Sequence, residues 1–206
     1  MITVLNHPLV DHRMTYMRDM ATQPKLFREL VSEITTFLAY EALRDIKTEE
    51  VAVQTPLAKT VGRKVAENVV LVPILRAGMG MLDAMLRVLP YAKVGVLGMQ
   101  RNEETAEPVP YYAKVPPAKG DELALVIDPM FATGGSAVDA VAQLKKLGYK
   151  KILFLSLISA PEGIENFEKH HPDVPVYTAA KDERLNSHYY IVPGLGDAGD
   201  RIFGTL

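Results

Sequence analysis

The sequence contains no cysteine and no tryptophan among its 206 residues. Without cysteine, disulfides, zinc–thiolate sites, iron–sulfur clusters and thiol nucleophiles are all excluded, which fits a reducing compartment. An excess of one charge is lacking too, since 23 Lys plus Arg stand against 25 Asp plus Glu, a formal net charge of −2. Coating nucleic acid needs a basic stripe that releases counterions from the phosphate backbone, so no nucleic-acid partner is expected, while a small anionic ligand remains open. The longest apolar runs, Val69 to Leu75 and Ile152 to Ile158, fall far short of the roughly 18–20 residues that span a bilayer, and no membrane partner is expected. Met1 to Met14 carries Asn6, His7, Asp11, His12 and Arg13, which suits neither a signal peptide nor a transit peptide. The cytoplasm is the expected location.

What is present is an alternation of short apolar runs with amphipathic ones. One domain, 1–206, is the simplest expectation at this length, and a globule of this size buries roughly 70% of the surface of its unfolded chain. Thr22 and Pro24 open a helix in which Leu26, Phe27, Leu30, Val31, Ile34, Phe37 and Leu38 recur at helical spacing. Val51 to Val61, β-branched and interrupted by Pro56, suits an exposed hairpin or arm. Then strands alternate with helices: strands at Val69–Leu75, Val94–Met99, Leu123–Ile127, Ile152–Ile158 and Val174–Thr178, and helices at Gly80–Leu89, Ser136–Leu147 and Glu162–His170. Near-continuous Val, Ile and Leu runs joined by helical crossovers predict an α/β fold with a mostly parallel central sheet flanked by helices. Arg101 to Glu122, which holds Arg101, Glu103, Glu104 and Glu107 along with Pro108, Pro110, Pro116 and Pro117, lacks helical periodicity. A connection of that length is functional or disordered, and Val109, Tyr111 and Tyr112 favour a flap over a site.

The strongest local signal is LALVIDPMFATGGS, Leu123 to Ser136. An apolar strand ends at Asp128, and Thr133, Gly134, Gly135 and Ser136 lead into a helix. In open α/β sheets ligands bind beyond the carboxyl ends of the strands, and glycines let backbone amides at a helix start approach a phosphate closely. The same residues also suit a tight turn capped by Ser136, but that reading leaves the acid and the paired hydroxyls unexplained. Arg76 follows a strand directly, beside Ala77, Gly78 and Gly80, where a guanidinium can grip a pyrophosphate. Arg101 either closes on the same anion or pairs with Glu103 or Glu104. GLGDAG, Gly194 to Gly199, imitates a dinucleotide fingerprint, but only seven residues follow it. It reads as a glycine-rich loop for a flat polar ligand, or as a mobile tail. His7, His12, His170, His171 and His188 show no metal-ligand spacing and read as solvated or capping residues.

Leu123 to Ser136 resembles the phosphoribosyl diphosphate (PRPP) loop of the type I phosphoribosyltransferases, with Pro129 in place of the second acid. That replacement is itself a mark of the uracil phosphoribosyltransferases. Similar to that family are also HPLV (His7 to Val10), PILRAGMGM (Pro73 to Met81), RNEETAEPVPYY (Arg101 to Tyr112), APEGI (Ala160 to Ile164) and YIVPGLGDAGDRIFGT (Tyr190 to Thr205). Gln100 departs from it, standing where an aromatic residue is expected.

The resemblance implies that uracil and PRPP give UMP and diphosphate, a step of pyrimidine salvage, with Mg2+ held mainly by PRPP. It implies catalytic roles for Asp128, Asp197 and Arg101. PRPP would meet Arg76, Arg101, Asp128, Pro129, Met130, Phe131, Ala132, Thr133, Gly134, Gly135, Ser136 and Asp197. Uracil would meet Ile191, Gly196, Asp197 and Ala198. A flap at about 101–122, a base-binding hood at about 189–206, a GTP effector and a homodimer or homotetramer complete the expectation. The rival reading is a regulator on the same fold that senses uracil or UMP and binds RNA.

Overall fold

The apolar runs of the sequence become the middle strands of one sheet. The structure, a computed structural model, describes residues 2–101 and 108–205, with the backbone alone at 100, 101 and 108–110. The chain opens with β1 (Ile2–Val4) and α1 (Pro8–Arg18), whose first turn is capped by His7 Nδ1 accepting the Leu9 N–H at 3.1 Å. Val10, Met14 and Met17 form the single buried stripe of α1 at helical spacing. Proline at its first position starts α2 (Pro24–Ala42), which buries Phe27, Leu30, Val31, Ile34 and Leu38. Leu26, by contrast, faces outward.

The expected arm is a longer antiparallel hairpin, β2 (Thr48–Gln54) with β3 (Lys59–Val65), most of whose residues are exposed. Next come β4 (Val69–Leu75), α3 (Met79–Val88), β5 (Lys93–Val94) and β6 (Val96–Arg101). The expected single strand over Val94–Met99 is therefore broken: Gly95 donates to Leu71 O, and β5 and β6 pair in turn with β4. β7 (Pro108–Lys114) returns antiparallel to β6. Residues 102–107 of the expected flap lie outside those described.

After β8 (Leu123–Ile127) follow β9 (Met130–Phe131), α4 (Gly135–Lys146), β10 (Lys151–Ser159), α5 (Pro161–His170) and β11 (Val176–Lys181). The last strand starts two residues later than expected. Pro175, without an N–H, lends only its carbonyl, which accepts the Phe154 N–H at 3.0 Å. A small antiparallel pair, β12 (Arg184–Leu185) and β13 (Ile191–Val192), and α6 (Ala198–Phe203) close the chain. A helix thus begins inside GLGDAG, where a loop or tail was expected.

The main path of the sheet runs β1-β11-β10-β8-β4-β6-β7, parallel throughout except for β7. Alternate residues of its strands face opposite sides. Leu71, Leu125, Ile127, Leu155 and Leu157 pack under α1, α2, α3 and α6, while Val70, Val72, Val126 and Phe154 pack under α4 and α5. Each fully buried Phe, Leu or Ile contributes roughly 1.5–3 kcal/mol. From β4 the chain crosses by α3 toward β6; from β8 it crosses by α4 toward β10, the opposite way. The carboxyl ends of β4 and β8 therefore flank a topological switch point, where such sheets bind ligands. Among the described residues, no helix is long and apolar enough to cross a membrane.

Candidate active site

A cavity of about 270 Å³ opens at that switch point, lined by Asp128, Met130 to Ala137, Tyr189, Tyr190, Gly196 and Asp197. Its floor is built by the segment between β8 and α4. Pro129 is buried, and its carbonyl accepts hydrogen bonds from Leu157 N, Ile158 N and Ser156 Oγ, each at 3.1 Å. β9 adds parallel pairing with β10, so the residues after Asp128 are pinned to the sheet.

The turn into α4 is held from below by α5. Gly134, at φ 76°, approaches so closely that a Cβ there would lie 2.5 Å from Gly163 O; a Cβ on Gly163 would lie 2.2 Å from Ala132 O. Glycine is required on both sides of this contact. Asn166 Nδ2 donates to Thr133 O at 2.9 Å, fixing the same peptide from α5. The N-cap Gly134 offers no side-chain cap and the Gly135 N–H only a long contact to Thr133 Oγ1 at 3.5 Å, so the amides of the first turn of α4, beside the hydroxyls of Thr133 and Ser136, are presented to the cavity. Such an arrangement suits an anion such as a phosphate dianion.

Asp128 is partly accessible at the cavity wall, yet the surrounding protein withdraws its carboxyl from water and pushes its pKa up to about 7. Desolvation is the main cause; the Met130 N–H, 3.4 Å away, opposes it, and the charge of Asp197 adds to it. Two acids facing one cavity, one of them short of donors, make a cation or a set of hydroxyls the fitting partner.

The far wall comes from the end of the chain. In the turn between β12 and β13, Asn186 Oδ1 accepts the N–H groups of His188 and Tyr190, each at 2.9 Å, and Tyr189 adopts φ 62°. Asp197 caps α6 by accepting the Asp200 N–H at 2.9 Å. Ile191 and Ala198 are buried in the core, so their side chains do not line the cavity.

Arg76 also stands apart. It is exposed, its Nη2 lies 3.2 Å from Asp200 Oδ1, and its guanidinium sits 5.7 Å from the centroid of the Phe203 ring. Gly199 joins the two regions, since a Cβ there would meet Asp197 Oδ1 at 3.2 Å and Arg76 Nη2 at 3.9 Å. The side chain of Arg101 lies outside the described residues.

The structure thus brings together Asp128, Met130 to Ser136, Gly196 and Asp197. Pro129, Ile191 and Ala198 support the wall from behind. Tyr189, Tyr190 and Ala137 were not singled out from the sequence; the Tyr189-Tyr190 pair beside a glycine-rich stretch was the available signal. Among the described residues, no group of three or more His, Asp or Glu side chains could hold a metal ion.

A family model described as uracil phosphoribosyltransferase matches residues 4–205. The chain belongs to the uracil phosphoribosyltransferase family. Relatives bearing that name include one from Campylobacter curvus, 53% identical over 205 residues, covering 100% of this chain and 99% of its own. Another, from Geobacillus, is 53% identical with 99% and 98% covered. The solved structure of the AQ2163 protein from Aquifex aeolicus superposes with a TM-score of 0.93 at 41% identity, covering 98% of both chains. An adenine phosphoribosyltransferase from Trypanosoma brucei, crystallised with AMP, pyrophosphate and ribose-5-phosphate, shares the fold alone. Its TM-score is 0.53 at 12% identity, with 74% of this chain and 65% of that one covered. The type I phosphoribosyltransferase fold expected from the sequence is therefore the fold present.

Proposed function

We propose that this cavity transfers the 5-phosphoribosyl group of PRPP to N1 of uracil, giving UMP and diphosphate. The observation that carries the reading is the meeting of Asp128, the uncapped start of α4 and Gly196–Asp197 around one cavity, in a chain of this family. Departure of diphosphate leaves cationic character on the ribose, so opposite charges must be met at the two ends. Asp128 accepts hydrogen bonds from the ribose hydroxyls and faces the developing cation. The segment from Ala132 to Ser136 holds the 5′-phosphate through backbone amides and the Thr133 and Ser136 hydroxyls. Asp197 orients the base and accepts the N1 proton as the new C1–N1 bond forms.

Arg76 and Arg101 hold the diphosphate, and the Arg76–Asp200 pair, exposed to solvent, opposes release by less than about 1 kcal/mol. Asp128, with one long backbone hydrogen bond and Asp197 nearby, fits a magnesium ion carried in with PRPP. When bound, magnesium supplies charge neutralisation on the diphosphate oxygens. The 101–122 flap excludes water from PRPP. The exposed hairpin of β2 and β3 supports self-association, as a dimer or tetramer.

Base choice follows from the order of donors and acceptors. Uracil presents acceptor, donor, acceptor, and a backbone loop built for that order leaves buried groups unpaired with cytosine. The rival RNA-binding reading finds no support in the relatives, and in the short basic runs Lys145–Lys146 and Lys150–Lys151, Lys145 pairs with Asp173 at 2.7 Å and Lys151 with Glu67 at 2.9 Å. Incubation with PRPP, magnesium and uracil, with and without GTP, should yield UMP. Absence of UMP alongside turnover of hypoxanthine or orotate would refute the assignment.

A further inference from the structure

The loop that brings Gly196 and Asp197 to the cavity is fixed by charged side chains, one of them from near the other end of the sequence. The Gly194 N–H donates to Asp182 Oδ2 at 2.7 Å, and the Gly194 carbonyl accepts from Arg18 Nη1 at 2.8 Å. Arg18 and Asp182 are in turn joined by a two-pronged pair, Nη1 to Oδ2 at 2.8 Å and Nη2 to Oδ1 at 2.5 Å. The next carbonyl, that of Leu195, accepts from Arg201 Nη1 at 2.8 Å. Arg201 is buried, and its other contacts are the carbonyls of Met17 and Asp19 and the face of the Phe27 ring, 4.3 Å away. Both polar groups of Gly194 and the carbonyl of Leu195 are thereby engaged away from the cavity, immediately before Gly196 and Asp197.

A core has no need of such an arrangement. Burying a guanidinium among carbonyls carries a desolvation penalty that apolar packing would avoid. What a satisfied polar network gives is a single backbone orientation, because each peptide has its direction set by a fixed donor or acceptor. Here the orientation fixed is that of the loop that meets the base. Gly194, at φ 69° with a Cβ position only 2.0 Å from Ile191 O, has no slack on its other side.

We propose that Arg18, Asp182 and Arg201 are positioning residues that set base selectivity: through Gly194 and Leu195 they aim the backbone of Gly196–Asp197. The inference rests on the reading that this loop receives uracil. It separates two substrates that share one cavity, since the phosphate segment is held by a different set of contacts, from β10 and α5.

The test is steady-state kinetics of Arg18→Lys, Arg18→Ala and Asp182→Asn with uracil, cytosine and PRPP. Arg18→Ala and Asp182→Asn should raise KM for uracil at least about tenfold while KM for PRPP moves less than about twofold, and should narrow the preference for uracil over cytosine. Arg18→Lys keeps the charge but reaches fewer of the acceptors, and should fall between these and the wild type. If Arg18→Ala does not fold, the other two variants carry the test. A lowered melting temperature with unchanged KM for uracil and unchanged preference would overturn the proposal, as would an equal rise in both KM values. A wild-type chain that makes no UMP refutes the reaction itself. One that makes UMP while its variants keep their KM for uracil refutes the positioning alone.

Discussion

Gly163→Ala adds one methyl group where α5 meets the phosphate segment, and two opposing effects can be weighed. Alanine is the better helix former, by about 1 kcal/mol. Against that, the new Cβ would lie 2.2 Å from Ala132 O and 3.1 Å from Gly134 N, both backbone atoms. Carbon–oxygen contacts settle at about 3.3–3.6 Å, so relief requires a retreat of about 1 Å between α5 and the segment. That retreat stretches the Asn166 Nδ2 to Thr133 O bond from 2.9 Å to about 3.9 Å, beyond hydrogen-bonding range. Overpacking costs about 1–3 kcal/mol and the lost bond about 1 kcal/mol, so the net loss should be about 1–3 kcal/mol after the helix gain. The displaced amides should also raise KM for PRPP, by up to about a hundredfold for a 1 Å misplacement. Urea unfolding and PRPP saturation curves measure the two effects. A variant with the wild-type urea midpoint and wild-type KM for PRPP would refute the argument that this contact shapes the phosphate site.

Other expectations follow from the same geometry. With the carboxyl of Asp128 raised to about 7, kcat/KM for PRPP should rise as pH increases through 7, because the ionised form accepts the ribose hydroxyls. Asp128→Asn should remove this limb and lower kcat/KM at least about a hundredfold; a limb near 4 would contradict the assignment. The raised value also sets a sign for stability. The neutral form suits the folded site, so its contribution is fully present below the ordinary value near 3.8 and is lost as pH rises through 7. Chemical denaturation should therefore show Asp128→Asn gaining on the wild type at pH 8 relative to pH 4. Arg76→Ala should change the unfolding free energy by less than about 1 kcal/mol, since its ion pair is exposed, while raising KM for PRPP; an unchanged KM would exclude Arg76 from the site. Cytosine and orotate should be rejected strongly, and steady-state turnover of either at a rate comparable to uracil would show that the loop does not discriminate as argued.

The sheet was readable because strands buried on both faces must be apolar at nearly every position, as Val69–Leu75 and Leu123–Ile127 are. α1 was not read, since its buried stripe is three residues within a polar segment. At the site, Asp128 and the glycines of the α4 turn were legible because a short segment supplies the strand end, the turn and the helix start together. Tyr189 and Tyr190 fell inside the expected hood but were not named as site residues, because a turn of a two-stranded pair, not a periodic pattern, brings them to the cavity. Arg18 and Asp182 could not be placed from the sequence, and Arg201, though inside the expected hood, showed no role there. Their partners lie as many as 184 positions away, and nothing local marks a charged residue that will end up buried.

Pro129 closes off an alternative history for this pocket. Its ring is buried, and its carbonyl already serves three donors from β10. A second acid at this position would replace a buried residue, and its carboxylate would carry the desolvation cost of that burial. An acid introduced there would need a cation or donors in the cavity to offset that cost, as the carbonyl bonds to β10 are kept by any residue. Burial behind the cavity thus favours an uncharged residue beside Asp128, independently of the chemistry in front.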